Sequence, residues 1–335
     1  MKLYPLVSRS GKKRIAVAGL AKNTGKTTTL NVLIREAENA GETLLLASFG
    51  RDGEYRDALT EHRKPAIHIP GGSLFATVEG YAGPVSRRET MAETDIRTPL
   101  GPVGLFRAAP GGAEAELVGL NRVSLLSRIA AAAGDSFSLF LIDGALDRKS
   151  FAVPELADAV ILATGAALGG SESEVAAYTA RELEKLTLPG PSHCIPSGTP
   201  YPDEGLLWKE GEFQSLPEVK WLNGEIPPVM HKLRYNDAVW LPRALGEPLA
   251  QALLDLPAGV SFELVVKDGT RIFISHQSLM RLESRGILLR TDRSLPILAV
   301  TINPWTPDGP VLDSRRLQAS VKRRIPNIPV LNILS

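Results

Sequence analysis

The chain has little that would tie it to an oxidising compartment, a membrane or a polyanion. One cysteine, Cys194, among 335 residues excludes an internal disulfide and speaks against a Cys-rich metal site, and the five histidines are scattered. With 38 Lys and Arg against 37 Asp and Glu, the net charge of +1 offers no basic excess for nucleic acid. No apolar run approaches the ~20 residues that span a bilayer. The opening M-K-L-Y-P-L-V-S-R-S is too short and interrupted for a signal peptide. The expectation is a soluble, cytoplasmic protein with neither nucleic acid nor membrane as partner. A hydrophobic content of 44% provides core for one large or two medium domains.

What is present is concentrated between residues 13 and 30, K-R-I-A-V-A-G-L-A-K-N-T-G-K-T-T-T-L. A short apolar strand, Ile15 to Ala18, runs into Gly19 and a turn closing on Gly25-Lys26-Thr27, and the apolar positions Leu30, Val32, Leu33 and Ile34 predict a helix after it. Strand, glycine loop and helix N-terminus form a phosphate cradle, in which backbone N–H groups and the helix dipole face the anion. Lys22, Asn23, Thr24, Gly25, Lys26, Thr27 and Thr28 would line it. Lys26 would reach the β- and γ-phosphates, and the Thr27 hydroxyl would ligate Mg²⁺. Five residues, rather than the usual four, separate Gly19 from Gly25, and Lys22 lies within them.

Apolar strands followed by chemistry-bearing loops recur along the chain. Thr43 to Ser48 reads as a buried parallel strand completing a βαβ unit. It leads into Phe49-Gly50-Arg51-Asp52-Gly53-Glu54, where Asp52 or Glu54 could be a Mg²⁺ or water-positioning carboxylate, or part of a solvated turn. Gly101 to Ala109 and Glu114 to Val118 read as two β segments around Pro110-Gly111-Gly112, a hairpin or edge feature. Ser136 to Asp147 contains an apolar strand ending at Asp143, the pattern of a Walker B element whose aspartate binds Mg²⁺ directly or through water. Ala157 to Thr164 is another parallel-type strand, with a helix at Glu172 to Leu186.

From Pro189 the composition changes, and residues 189–258, rich in proline and holding Trp208 and Trp221, read as an insertion. With Tyr201 and Phe213 these tryptophans could form a partner-binding face or simply stabilise loops. Cys194 beside His193 lacks a nucleophile elbow or third partner, so no dyad is expected. Ser261 to Lys267 and Arg271 to Ser275, around Asp268-Gly269-Thr270, read as a β-hairpin. Ile297 to Ile302 is a stronger strand ending at Asn303-Pro304-Trp305, then a helix and a final strand. The expected architecture is α/β: one doubly wound, mostly parallel sheet from residues 1–188 and 259–335, interrupted by the insertion.

The loop at 19 to 28, the strand ending at Asp143 and the loop at 303 to 307 resemble, in that order, the superclass of P-loop proteins that holds the deviant-Walker ATPases and the dethiobiotin synthetases. Lys22 is similar, with a one-residue offset, to the signature lysine of the former, while the glycine spacing resembles that of the latter. The resemblance implies ATP and Mg²⁺ as ligands and a homodimer, with Lys22 reaching the phosphates in cis or across the dimer. Asn303 could read adenine N6 and N7, with Trp305 or Pro304 packing on the ring. No N-K-x-D motif occurs, which favours adenine over guanine.

The strings G-L-A-K-N-T-G-K-T-T-T-L-N, G-R-D-G-E and I-D-G-A-L-D-R-K-S more narrowly resemble the ATPase-type reactivase subunit associated with lysine 5,6-aminomutase. That resemblance implies an ATP-driven helper, working with a MutS-like partner on an adenosylcobalamin-dependent mutase. No D-x-H-x-x-G cobalamin motif is present, as suits a factor that opens its client rather than holding the cofactor. The competing readings are an ATP-dependent ligase of dethiobiotin synthetase type, whose lysine-proline element would have to be Lys64-Pro65, and a nucleotide-dependent switch or metallochaperone.

Overall fold

The computed structural model describes residues 2–49, 67–118, 120, 122–145, 157–196, 201–294, 296–307, 309 and 311–333. The chain divides into two compact units, one from Met1–Arg148, Glu155–Ala180 and Pro296–Ser335, the other chiefly from Arg181–Leu295. Among the described residues it is a mixed α/β protein with seven helices and a mostly parallel central sheet that does not close into a barrel.

In the first unit, α1 (Tyr4–Ser10) precedes β1 (Arg14–Gly19), α2 (Lys26–Asn39) and β2 (Leu44–Phe49). Next come β3 (Ile67–Ile69), β4 (Leu74–Val78), β5 (Arg88–Thr98), β6 (Gly101–Ala108), β7 (Ala113–Ala115), α3 (Val123–Ala133), β8 (Leu139–Ala145), β9 (Ala159–Gly165) and α4 (Glu172–Leu186), whose residues from Arg181 on belong to the second unit. The nine-stranded sheet runs β18-β17-β9-β1-β8-β2-β4-β6-β5, where β17 is Ile297–Asn303 and β18 is Val330–Asn332. The seven strands from β18 to β4 are parallel, and β6 and β5 close that edge antiparallel.

Central parallel strands are covered on both faces, so they read as unbroken apolar runs, and every residue of β2 and β9 is buried. Alternate residues Ile15 and Val17, Leu44 and Leu46, Leu139 and Leu141, and Ala159 and Ile161 share one face. There they form one cluster with Val7 of α1 and with Leu30, Leu33, Ile34 and Ala37 of α2. These α2 positions follow the i, i+3, i+4, i+7 spacing of a core-facing stripe, and full burial of each Leu or Ile contributes about 1.5–3 kcal/mol. Gly41 ends that helix in the left-handed region, with Gly41 N–H donating to Glu38 O (2.9 Å) and Glu42 N–H to Ala37 O (3.0 Å).

The second unit carries a five-stranded sheet, β11-β10-β12-β14-β16, made of β10 (Leu206–Lys209), β11 (Glu212–Ser215), β12 (Ala238–Trp240), β14 (Phe262–Val266) and β16 (Ile287–Thr291). Strands β12, β14 and β16 are parallel, with α5 (Glu247–Leu254) and α6 (His276–Ser284) in the connections. A separate parallel pair joins β13 (Leu245–Gly246) to β15 (Ile272–Phe273). Leu249, Leu253, Leu279 and Leu282 of the two helices share a cluster with Leu207, Val239, Leu264 and Leu289 of the sheet. The hairpin β10–β11 turns through Glu210 (φ 55°) and Gly211 (φ 92°), the two left-handed residues that match strand twist. Glu210 tolerates that region poorly, so Glu210→Asn is expected to raise the unfolding free energy by about 0.5–1 kcal/mol, readable by urea denaturation.

Three expectations need correction. The segment 259–295 belongs to the second unit, and only Pro296–Ser335 returns to the first sheet, through β17, α7 (Ser314–Arg324) and β18. The segments around Asp268-Gly269-Thr270 are not a hairpin. β14 pairs in parallel with β12 and β16, β15 pairs with β13, and Asp268 accepts from Thr270 N–H to start a short helical turn. Nor do β6 and β7 pair with each other. β6 lies between β4 and β5, while β7 pairs with β3.

Candidate functional site

The loop after β1 is shaped by contacts that leave no room for larger residues. A Cβ at Gly19 would stand 2.6 Å from Thr24 Oγ1, so the chain folds back on the strand end. Thr24 Oγ1 donates to Ala21 O (2.9 Å), and Leu20 N–H donates to Ala163 O of β9 (3.0 Å). Asn23 (φ 62°) and Gly25 (φ 88°) are both left-handed, a pattern that turns successive N–H groups toward one concavity. Gly25 then caps α2 with no side chain accepting from the first turn, leaving the donors that a helix start cannot satisfy internally.

A second loop braces the first. Asn303, at the end of β17, donates from Nδ2 to Asn23 O (3.0 Å) and accepts Trp305 N–H at Oδ1 (3.2 Å). Its Cβ lies against Gly25, and its carbonyl passes 2.2 Å from where a Cβ on Gly165 would stand. Beneath them, buried Thr29 Oγ1 meets Thr301 Oγ1 at 2.7 Å and donates to Gly25 O at 3.0 Å. Asn303 thus holds Asn23 in its unusual conformation. Among the described residues, one Nδ2 proton and one Oδ1 lone pair of Asn303 have no partner.

Asp143 lies on β8, the neighbour of β1, in register with Val17 and with Ser48 of β2. Strand alternation places it on the α2 face, continuing Leu139 and Leu141. Lys26 Nζ stands 3.1 Å from Asp143 Oδ1 as an ion pair, although the angle falls outside hydrogen-bonding geometry and the buried Oδ1 accepts no hydrogen bond. Thr27, partly buried, and Thr28, exposed, follow Lys26 on the first turn of α2, and Lys22 is exposed on the loop. Pro304 accepts Leu312 N–H at its carbonyl (2.9 Å), while the Trp305 side chain is half exposed beside it. Asp52 and Glu54 lie outside the described residues, as do Asp147, Arg148, Lys149 and Lys64-Pro65.

No protein-family model, curated protein or solved structure matches the chain.

Among the described residues no three of His, Cys, Asp and Glu gather as a metal cage. A magnesium ion held mainly by phosphate oxygens and waters needs only one or two carboxylates, so Asp143, whose Oδ1 accepts no hydrogen bond, and the Thr27 hydroxyl fit that ion. The other candidates lie outside this edge. His68, on β3, holds its Nε2 3.8 Å from Glu38 Oε2 of α2, and Cys194 is exposed. Trp221 is core, Tyr201 OH donates to Leu241 O (2.7 Å), and Trp208 stacks on His193 and meets Phe213 edge-on. These aromatics support the second unit's own sheet. Sequence reasoning missed Ser48, Thr29, Thr301 and the bracing role of Asn303.

Proposed function

We propose that the chain is a P-loop ATPase of doubly wound architecture that binds Mg·ATP at the loop from Gly19 to Thr28. The reading is carried by one observation: Lys26 opens a fourteen-residue helix whose N-cap, Gly25, offers no side-chain acceptor, and it stands 3.1 Å from a buried strand-end aspartate on the adjacent strand. A lysine and a carboxylate already paired at an anion-binding helix start are what a metal–triphosphate needs, one partner for phosphate and one for the metal. Phosphate oxygens would take the N–H groups of residues 24 to 28 and the Lys26 ammonium, and Thr27 and Asp143 would hold Mg²⁺. The ion, when bound, neutralises charge on the β- and γ-oxygens. The second Nδ2 proton of Asn303 is the proposed adenine contact, with the exposed Trp305 beside it. Lys22 is a further phosphate contact, in cis or from a second copy.

The client is proposed from the sequence strings alone: an adenosylcobalamin-dependent aminomutase, with hydrolysis driving its reactivation. The test is nucleotide binding and turnover by the purified chain with Mg²⁺ and ATP or GTP, with and without such a mutase. Slow ATP turnover that the mutase stimulates is expected. ATP binding without a mutase response would discard the client and keep the site, and no nucleotide binding would discard both.

A further inference from the structure

Three buried side-chain oxygens in the described part of the first unit have no hydrogen-bond partner: Asn31 Oδ1, Ser48 Oγ and Asp143 Oδ1. Two of the three stand together. Ser48 and Asp143 are register partners on adjacent parallel strands, and both continue the face that packs on α2. Asn31 lies on α2 one turn beyond Thr27, on the same side of the helix. A buried hydroxyl without a partner is costly, and folded proteins keep few of them.

The neighbouring strand shows how this edge satisfies a hydroxyl when it can. Thr77 of β4, fully buried and two residues beyond Phe75 on the same face, donates to Glu116 O (2.7 Å) and accepts Val118 N–H (3.0 Å). The same passing segment uses only the backbone of Ser48, through Leu120 N–H to Ser48 O (3.0 Å). The Ser48 hydroxyl, 1% exposed as a residue, is left beside the carboxylate and faces the side on which Lys26 stands.

We propose that Ser48 is a positioning residue for the metal: its hydroxyl donates to a water on the Mg²⁺ that Asp143 and Thr27 hold, fixing that water against the carboxylate. The inference rests on the Mg–nucleotide reading above. Outer contacts of this kind orient the ligands of an ion and tune its affinity. Ser48 touches neither phosphate nor base, so its effect is confined to the metal.

The test is calorimetric titration of the full chain with ADP, first in EDTA and then at increasing Mg²⁺, comparing wild type with Ser48→Ala. The Mg²⁺ concentration giving half the metal-dependent gain in ADP affinity is expected to rise about tenfold or more in the variant, with affinity in EDTA unchanged. The thermal midpoint of the ligand-free variant is expected to equal or exceed that of wild type, because removing an unpaired buried hydroxyl costs nothing in packing. Ser48→Cys, close in size and a feeble donor, gives the same reading if the alanine variant does not fold. A Mg²⁺ midpoint unchanged in either variant, while wild type shows metal-dependent binding, overturns the role of Ser48 and leaves the site standing. Absence of ADP binding by wild type overturns both.

Discussion

Lys26→Met is expected to yield a folded protein whose ATP turnover is lower by about 10²–10³-fold, the cost of removing one preorganised charge from the proposed phosphoryl-transfer site. The side chain leaves from the first residue of a helix whose core stripe begins at Leu30, so the stripe and its packing are untouched. What changes is charge. In the ligand-free protein the ammonium lies 3.1 Å from Asp143, and its loss strands a carboxylate in a place with little water. The variant is therefore expected to melt below wild type, and Lys26→Met combined with Asp143→Asn to recover most of that loss. In turnover the two changes are not expected to compensate, because on the proposed reading lysine serves phosphate and aspartate the metal. Stopped-assay phosphate release and thermal denaturation of the three variants read both effects. Wild-type turnover in Lys26→Met would remove the loop from any part in hydrolysis.

Residues 15 to 34 were legible because each requirement there is local. A loop that folds back on its own strand needs glycine, and a helix that must pack shows its stripe within two turns, as Leu30, Leu33, Ile34 and Ala37 do. Asp143 was legible for a similar reason, as a charge closing an apolar run. Elsewhere the deciding contact lies far along the chain. Strand β5, R-E-T-M-A-E-T-D-I-R-T, has the polarity of a surface segment, and only β6 along one side makes it a strand. Asp268-Gly269-Thr270 carries the local chemistry of a hairpin turn, and the same aspartate that would start a turn caps a short helical one instead. Whether β14 doubles back or crosses over is settled by its partners β12 and β16, some 25 residues away on either side. The placement of Ser48 was invisible because a serine ending L-L-L-A-S says nothing until the register sets it beside Asp143.

Trp240→Ala is expected to unfold the second unit near physiological temperature while the first unit still binds nucleotide. Trp240 is fully buried on the face of the second sheet opposite α5 and α6, among Ala238, Val265 and the partly buried Tyr201, Trp208 and Phe213. Phe213 meets it edge-on at 5.3 Å, and Trp208 meets Phe213 at 4.7 Å, so the indole is the inner end of an aromatic ladder that closes this face. Truncation leaves a cavity that loops cannot refill, at a cost of about 3–5 kcal/mol. That is comparable with the whole stability of a small domain and lowers its midpoint by on the order of 20 °C. Every side chain assigned to the site comes from residues 19–31, 48, 143 and 303–305, none of them in the second unit. Calorimetry of the variant should then show two transitions, the upper one shifted upward by Mg·ADP, as is expected of wild type. A single transition at the lower temperature, with nucleotide binding lost, would mean that the first unit does not stand without the second and that the site depends on both.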